Sequence, residues 1–342
     1  MNIQFIPTNY STQSTQGRLL GLLLGLILLF VCFVYSVTLG AREIPLRVIL
    51  ESFVTFDNSY DHLVIQTLRL PRSLIAIAIG AALAVSGTLM QGLTRNPLAE
   101  TGILGIEAGG ALAVVATLFI FGSASPTVYA GMAFLGAGVA AVTVYLLGSL
   151  GRGGATPLNL TVAGAAMTAF ISSITTAILI VSQRTLEEIR FWLAGSLAGR
   201  DFSLFLQVLP FLGLGLGLAL LLGRQITTLS LGETVATSLG QQTLQIKLLT
   251  ALSVVLLAGS SVAIAGPIGF VGLIVPHTVR FFIKTDYRWI LPYSAVLGAI
   301  LLLVSDIAAR VLLKPQEIPV GVMTALVGAP VFVYLTKSKV KK

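Results

Sequence analysis

From Ser73 to Thr94 the chain runs 22 residues without a charge, between Arg69-Leu-Pro-Arg72 and Arg95-Asn96-Pro97. A run of that length matches the roughly 20 residues a helix needs to cross the hydrocarbon of a bilayer, and the flanking charges mark its ends. Runs of this kind recur and predict helices at 19–41, 73–94, 103–122, 127–149, 158–182, 203–223, 248–265, 268–284, 289–312 and 319–336. Two of the divisions rest on breakers. Ser123-Ala-Ser-Pro126 cuts one 44-residue uncharged stretch, and Gly266-Pro267 cuts another. The expected fold is all-α and polytopic, with about ten transmembrane helices.

Composition agrees with that reading and excludes others. The chain is 56% hydrophobic and 10% charged, where soluble domains carry about a quarter charged residues. Its net charge of +8 is dispersed between apolar runs, so no nucleic-acid face is predicted. Cys32 is the single cysteine and lies inside an apolar run, which rules out an internal disulfide. Residues 1–18 read as a polar tail, 19–336 as the membrane domain and 337–342 as a basic tail. The first apolar run lacks a small-residue cleavage site of the usual form, so it reads as a retained span.

Charge asymmetry sets an orientation. With the N-terminus inside, one face collects 12 of the 21 basic residues, among them Arg18, Arg95, Arg152, Arg224, Lys247 and Arg280, against at most four acids. The positive-inside rule makes that face cytoplasmic, with both termini on it. Spans two to five then begin outside and spans seven to ten begin inside, which gives two antiparallel four-helix blocks. A faint echo between Asn96-Pro-Leu-Ala-Glu-Thr-Gly102 and Gly266-Pro-Ile-Gly-Phe-Val-Gly272 agrees with an inverted repeat. Glycines at a spacing of four (Gly17-Gly21-Gly25, Gly105-Gly109, Gly195-Gly199 and Gly213-Gly217) predict close helix packing.

The chemistry of an enzyme or an autonomous pump is missing. There is no Gly-Lys dipeptide and hence no P-loop. The two histidines, His62 and His277, are far apart in sequence, so no HExxH zinc site exists and no metal or cofactor site is predicted. Glu100, Glu107 and Asp306 are carboxylates in or near apolar runs, which default to functional hypotheses. Glu107 reads as the deepest; Asp306 stands four residues before Arg310, at ion-pair spacing. Between spans six and seven, residues 225–247 form a polar stretch poor in charge. Its middle reads as two short helices, one over Gly232–Ser238 and one from Gln241 onward, with Glu233 suited to a helix N-terminus and Gly240 to a left-handed helix end.

The segments Arg69–Gly110, Leu193–Asp201 (LAGSLAGRD), Leu231–Gly240 (LGETVATSLG), Gly266–Arg280 (GPIGFVGLIVPHTVR) and Asp306–Val333 resemble the FecCD-type permease subunits of ABC importers for iron–siderophore complexes, haem and cobalamin. The resemblance spans nearly all of the chain after Arg69. It implies a type II ABC importer permease, without an ATPase site of its own. Such a permease works beside a second permease subunit, identical or homologous, two ABC ATPase subunits and an external substrate-binding protein. It also implies roles for residues. Gly232, Glu233, Thr234, Ala236, Leu239 and Gly240 match the coupling helices that seat in the ATPase. Arg69, Arg72 and Arg310 match positions that hold acidic residues of the binding protein, a task suited to the planar guanidinium fork. Span five is placed along the pathway, with Thr156, Pro157, Leu158, Thr161, Thr168 and Ser172 as gate and lining residues.

The expected function is import of a ferric siderophore across the cytoplasmic membrane of a prokaryote, energised in trans. Haem or cobalamin cargo is the alternative within the family. A proton- or sodium-coupled secondary transporter and a membrane-embedded enzyme are the alternatives outside it.

Overall fold

A computed structural model describes residues 15–40, 42–150, 156–314 and 316–340, with side chains as far as 333. The first 14 residues, Arg152 and the side chains of the basic C-terminal tail lie outside the described residues. Fourteen helices are described: α1 Thr15–Thr38, α2 Leu46–Val54, α3 Tyr60–Thr94, α4 Ile106–Phe121, α5 Pro126–Ser149, α6 Pro157–Val181, α7 Gln183–Leu193, α8 Phe202–Leu221, α9 Gly223–Ser230, α10 Glu233–Ser238, α11 Thr243–Ala265, α12 Val271–Phe282, α13 Tyr287–Val311 and α14 Val320–Val340. Among the described residues there is no strand. Seven of the helices are long and apolar enough to span a membrane; Ile106–Phe121, Val271–Phe282 and Val320–Val333 are shorter apolar segments. Helices suit that environment because each satisfies its backbone polar groups internally.

Helices occupy all ten expected segments, three of them as the shorter apolar helices, with two informative differences at their starts. The second begins at Tyr60 rather than residue 73 and includes a π-helical turn at Ile65–Arg69. Arg69 and Arg72 therefore sit within a helix instead of flanking one. The seventh begins at Thr243, which brings Lys247 into its first turns. Local chemistry sets many of the starts. Pro126 and Pro157 occupy first helical positions behind Ser125 and Thr156, whose hydroxyls accept N–H bonds from Val128 and Asn159. Asp201 and Asp286 cap α8 and α13 in the same way.

Helix α3 is the central post, buried along most of its length. Ile75, Ile79, Leu89 and Met90 are wholly inaccessible and pack with Leu257, Ile264, Ile290 and Leu302 of α11 and α13. The approach of the helices depends on glycine. A Cβ on Gly80 would overlap the backbone of Gly298 on α13, and one on Gly87 the backbone of Gly272 on α12. Gly109 and Gly136 do the same between α4 and α5. Bare backbones in contact maximise dispersion where lipid supplies no hydrophobic drive.

The glycine spacings divide accordingly. Gly21 and Gly25 face Tyr293 and Val296 of α13. Gly213 and Gly217 have no neighbour within 4 Å, so that pair does not pack inside this chain. Gly195 and Gly199 lie in the connection after α7, both at positive φ, so their spacing of four is not helical.

The two echoing segments meet in space. Each precedes a short helix, α4 or α12, and each enters it through a left-handed residue, Gly105 (φ 67°) or Phe270 (φ 70°). The Glu100 carboxylate reaches the second segment, where a Cβ on Gly269 would stand 3.4 Å from its Oε1. Glu107 accepts from the Thr101 hydroxyl at 3.0 Å. Asp306 has no exposed surface.

Candidate functional site

At the basic end of the bundle, the connection between α8 and α11 folds into a compact platform. Helix α9, expected to be loop, forms because Ile226 and Leu229 bury against the bundle, and the Thr227 hydroxyl accepts the Tyr287 N–H at 3.0 Å. Gly232 (φ 124°) turns the chain into α10, whose Ala236 is fully buried. The end of α10 is a Schellman closure: Gln241 N–H reaches the Ala236 carbonyl at 3.0 Å and Gly240 N–H the Thr237 carbonyl at 2.9 Å. Gly240 is the left-handed residue (φ 80°) that this closure requires. Glu233 stands in the first turn of α10, and both its oxygens accept from Lys247 Nζ, at 2.8 and 2.7 Å. Gln241 Nε2 donates to the Gln225 carbonyl at 2.9 Å, tying the platform back to α9.

The platform leaves an apolar ridge in the open. Leu231, Val235 and Leu239 are 65%, 41% and 68% exposed. Val235 and Leu239, four apart along α10 and its C-cap, share one face beside exposed Thr234, and Leu231 stands before the turn at Gly232. Leu231 and Val235 are not among the residues the sequence singles out, although the spacing of Val235 and Leu239 is legible there. A rigid, solvent-facing apolar ridge outside the spans is suited to a protein groove.

At the opposite end, Arg69, Arg72 and Arg310 converge with Asp306. Arg72 grips Asp306 through Nε and Nη2, at 3.0 and 2.8 Å to Oδ1, and donates through Nη1 to Glu317 at 2.7 Å. Arg310 lies 3.1 Å from Asp306, the expected i,i+4 pair. Arg69 and Arg310 also hold the last turn of α1. Arg69 donates to the Val37 and Thr38 carbonyls at 2.8 and 2.7 Å and to that of Arg42; Arg310 donates to those of Ser36 and Leu39 at 2.9 and 3.1 Å. A helix end leaves four carbonyls without intrahelical donors, and two guanidinium groups meet that need in a buried place. Arg69 and Arg310 are 8% and 5% exposed.

All three arginines, with Arg42, Asp61, Arg200 and Glu317, line an open cavity of about 350 Å³. Burial pushes Arg200 down to about 10, so it stays charged at neutral pH. The sequence reading offers these arginines as cations for a partner. The structure brings the three together but engages each with groups of its own chain.

Helix α6 carries the expected pathway residues on a mostly exposed surface. Thr156 caps it, Pro157 opens it, and Leu158 is 71% exposed. Thr161 donates to the Pro157 carbonyl at 2.8 Å, and Thr168 to the Gly102 carbonyl at 3.3 Å. Ser172 faces outward. The residues expected to dock a partner thus lie at one end and those expected to couple at the other, where Pro157 lines a small pocket with Glu233 and Lys247, while Thr161, Thr168 and Ser172 continue along a flank. His62 is buried against Asp57, and His277 meets Phe281 edge-on. Among the described residues no His, Cys, Asp and Glu group has the makings of a metal site.

A helical bundle with seven helices, among the described residues, long and apolar enough to cross a bilayer is that of a polytopic membrane protein. Residues 28–338 match the FecCD transport family, and the chain belongs to it. It is 47% identical to the probable siderophore transport system permease protein YfiZ of Bacillus subtilis, over 96% of this chain and 98% of that one. It is 45% identical to the iron(3+)-hydroxamate import system permease protein FhuB of the same organism, over 95% of this chain and 85% of that one. Among solved structures, a metal-chelate type ABC transporter in an inward-facing conformation superposes with a TM-score of 0.82. It shares 30% identity over 94% of this chain and 99% of that one. The fold is therefore that of an ABC importer permease, a multi-pass membrane protein.

Proposed function

We propose that the chain conducts a ferric siderophore into the cell as one permease subunit of a type II ABC importer. The observation that carries this reading is its likeness, over nearly the whole of both chains, to a siderophore-transport permease. The platform of α9 and α10 supports it, since a braced apolar ridge gives an ATPase subunit something to push against. Two ATPase subunits, a second permease and an external binding protein complete the assembly. The basic end faces the cytoplasm, and α6 lines the pathway at the dimer axis.

Docking of the binding protein takes a specific form here. Arg69 and Arg310 are occupied under the end of α1, so they set the shape of the mouth. Arg72 meets the partner, whose carboxylate takes the place of the 37% exposed Glu317 on the outer edge of the fork.

The test is uptake of radiolabelled iron in cells that depend on this chain, with hydroxamate, catecholate and citrate complexes, haem and cobalamin offered in turn. Iron uptake should stop when ATP is depleted and survive an uncoupler while ATP is maintained. The opposite pattern would establish a secondary transporter, and selective uptake of cobalamin or haem would move the cargo within the family.

A further inference from the structure

Between α1 and α3 the chain crosses the mouth end of the bundle on a strap whose middle is α2, Leu46–Val54. The strap leaves and rejoins the rim of the cavity. Gly40, Arg42 and Ile44 line it on the way out, and Tyr60, Asp61 and Val64 on the way back. Arg42 and Asp61 stand 3.6 Å apart and close the base of the strap. One side of α2 is fixed to the bundle. Ile49 packs with Ile44, with Val37 in the last turn of α1 and with Ile65 of α3, and Gln66 Nε2 donates to the Ser52 carbonyl at 2.7 Å. These contacts set the roll of the helix about its axis.

The side turned away from them is apolar. Leu46, Leu50, Phe53 and Val54 follow the i, i+4, i+7, i+8 spacing of one helical face, and all four are exposed, Leu50 by 60% and Val54 by 82%. Arg47 and Glu51 form the polar edge beside this face and bind each other at 2.7 Å. The level of the face in a bilayer follows from α1. Its 24 residues rise about 36 Å, against about 30 Å of hydrocarbon, so the last turn, on which α2 packs, stands at the hydrocarbon boundary. Helix α1 is itself exposed to within a turn of that level, at Phe30, Val31 and Tyr35, so lipid lies beside α2.

We propose that α2 is an interfacial helix in the leaflet on the mouth side, with Leu46, Leu50, Phe53 and Val54 in the acyl boundary and the Arg47–Glu51 pair toward water. A binding protein that docks and departs would leave this contiguous apolar patch in water between visits, which a soluble surface avoids. The face also offers no unpaired cation to a partner's carboxylates, since Arg47 is engaged by Glu51. A second permease belongs elsewhere: α6, the helix expected at the dimer axis, packs chiefly on α4 and α5, whereas α2 packs on α1 and α3. Lipid is present at all times, and by holding α2 it pins the rim that carries Arg42. The anchorage requires neither cargo nor ATP.

The experiment places a nitroxide at residue 47, 50 or 54 of the assembled transporter in phospholipid vesicles. It uses Arg47→Cys, Leu50→Cys and Val54→Cys in a Cys32→Ser background, with the Cys32→Ser complex giving the background signal. All three positions are exposed, so the variants should fold. Power-saturation EPR compares collisions with oxygen, which concentrates among acyl chains, and with nickel–EDDA, which stays in water. The ratio of oxygen to nickel accessibility should be several-fold higher at 50 and 54 than at 47, and loaded binding protein should leave it unchanged. Nickel access at 50 and 54 equal to that at 47 would put the face in water. Loss of both collision rates there on adding binding protein would assign the face to that partner, and dipolar broadening between labels at 50 on two copies would assign it to a second permease. Each of these three results would overturn the proposal.

Discussion

Single residues at the two ends carry opposite kinds of constraint. Gly240 has open space around its α-carbon, so a side chain there meets no neighbour. Its constraint is the left-handed backbone (φ 80°), which costs a β-branched residue about 1 kcal/mol or more. Gly240→Val should leave the complex assembled and abolish stimulation of ATPase activity by the loaded binding protein. Gly240→Asn, which tolerates that conformation, should keep most of it. Wild-type stimulation in the valine variant would count against coupling through this platform. Asp306 is constrained by charge instead. Removing its charge leaves Arg72 and Arg310 facing each other in a buried site, a situation that costs about 3–5 kcal/mol for a broken buried pair. Asp306→Asn should lower resistance to denaturant by that order, and adding Arg72→Met should recover part of it. An unchanged unfolding midpoint in the single variant would show that water reaches the cluster.

Between elements, the deciding quantity is how closely two backbones approach. Gly87 of α3 meets Gly272 of α12 backbone to backbone, so Gly87→Ala must force the helices apart or strain them. Overpacking of that kind costs about 1–3 kcal/mol. Gly213 on α8 is the internal control. It is exposed with nothing within 4 Å, and alanine there gains up to about 1 kcal/mol of helix propensity. Thermal unfolding of the two variants in one detergent should shift in opposite directions. A destabilised Gly213→Ala complex, with the isolated chain unaffected, would reveal a packed partner helix on α8. The same distinction explains the mixed fate of the glycine spacings. Sequence spacing marks a bare stripe, but only the position of the neighbouring helix says whether anything enters it.

For the molecule as a whole, orientation decides what each end can meet. Tyr60, 72% exposed at the start of α3, and Val235 on the platform lie at opposite ends of the bundle. In a Cys32→Ser background, Tyr60→Cys in intact cells should react with a membrane-impermeant maleimide, and Val235→Cys should react only after permeabilisation. The reverse pattern would turn the protein over and remove the platform from any cytoplasmic ATPase. The same arrangement sets the platform and the arginine-lined mouth at opposite ends of the bundle. Helix α3 carries Arg69 and Arg72 near one end and packs on α11, α12 and α13 along its length.

The sequence by itself determined where the apolar helices lie, because a bilayer demands about 20 apolar residues per crossing and the chain repeats runs near that length along most of its course. It determined the left-handed end at Gly240 and the Asp306–Arg310 pair, both of which are set within a few residues of chain. It did not determine what the arginines hold. Arg69 and Arg310 bind carbonyls of α1 that are 31 to 274 residues away, and Arg72 meets Asp306 across 234. Nor did it reveal helix α9, whose buried Ile226 and Leu229 are apolar in only a short polar segment until the bundle supplies a surface for them. Local hydrogen bonding and the thickness of the membrane act along the chain and leave their mark in its order. Partnerships between distant helices depend on how those helices cross, and that was decided only when they packed.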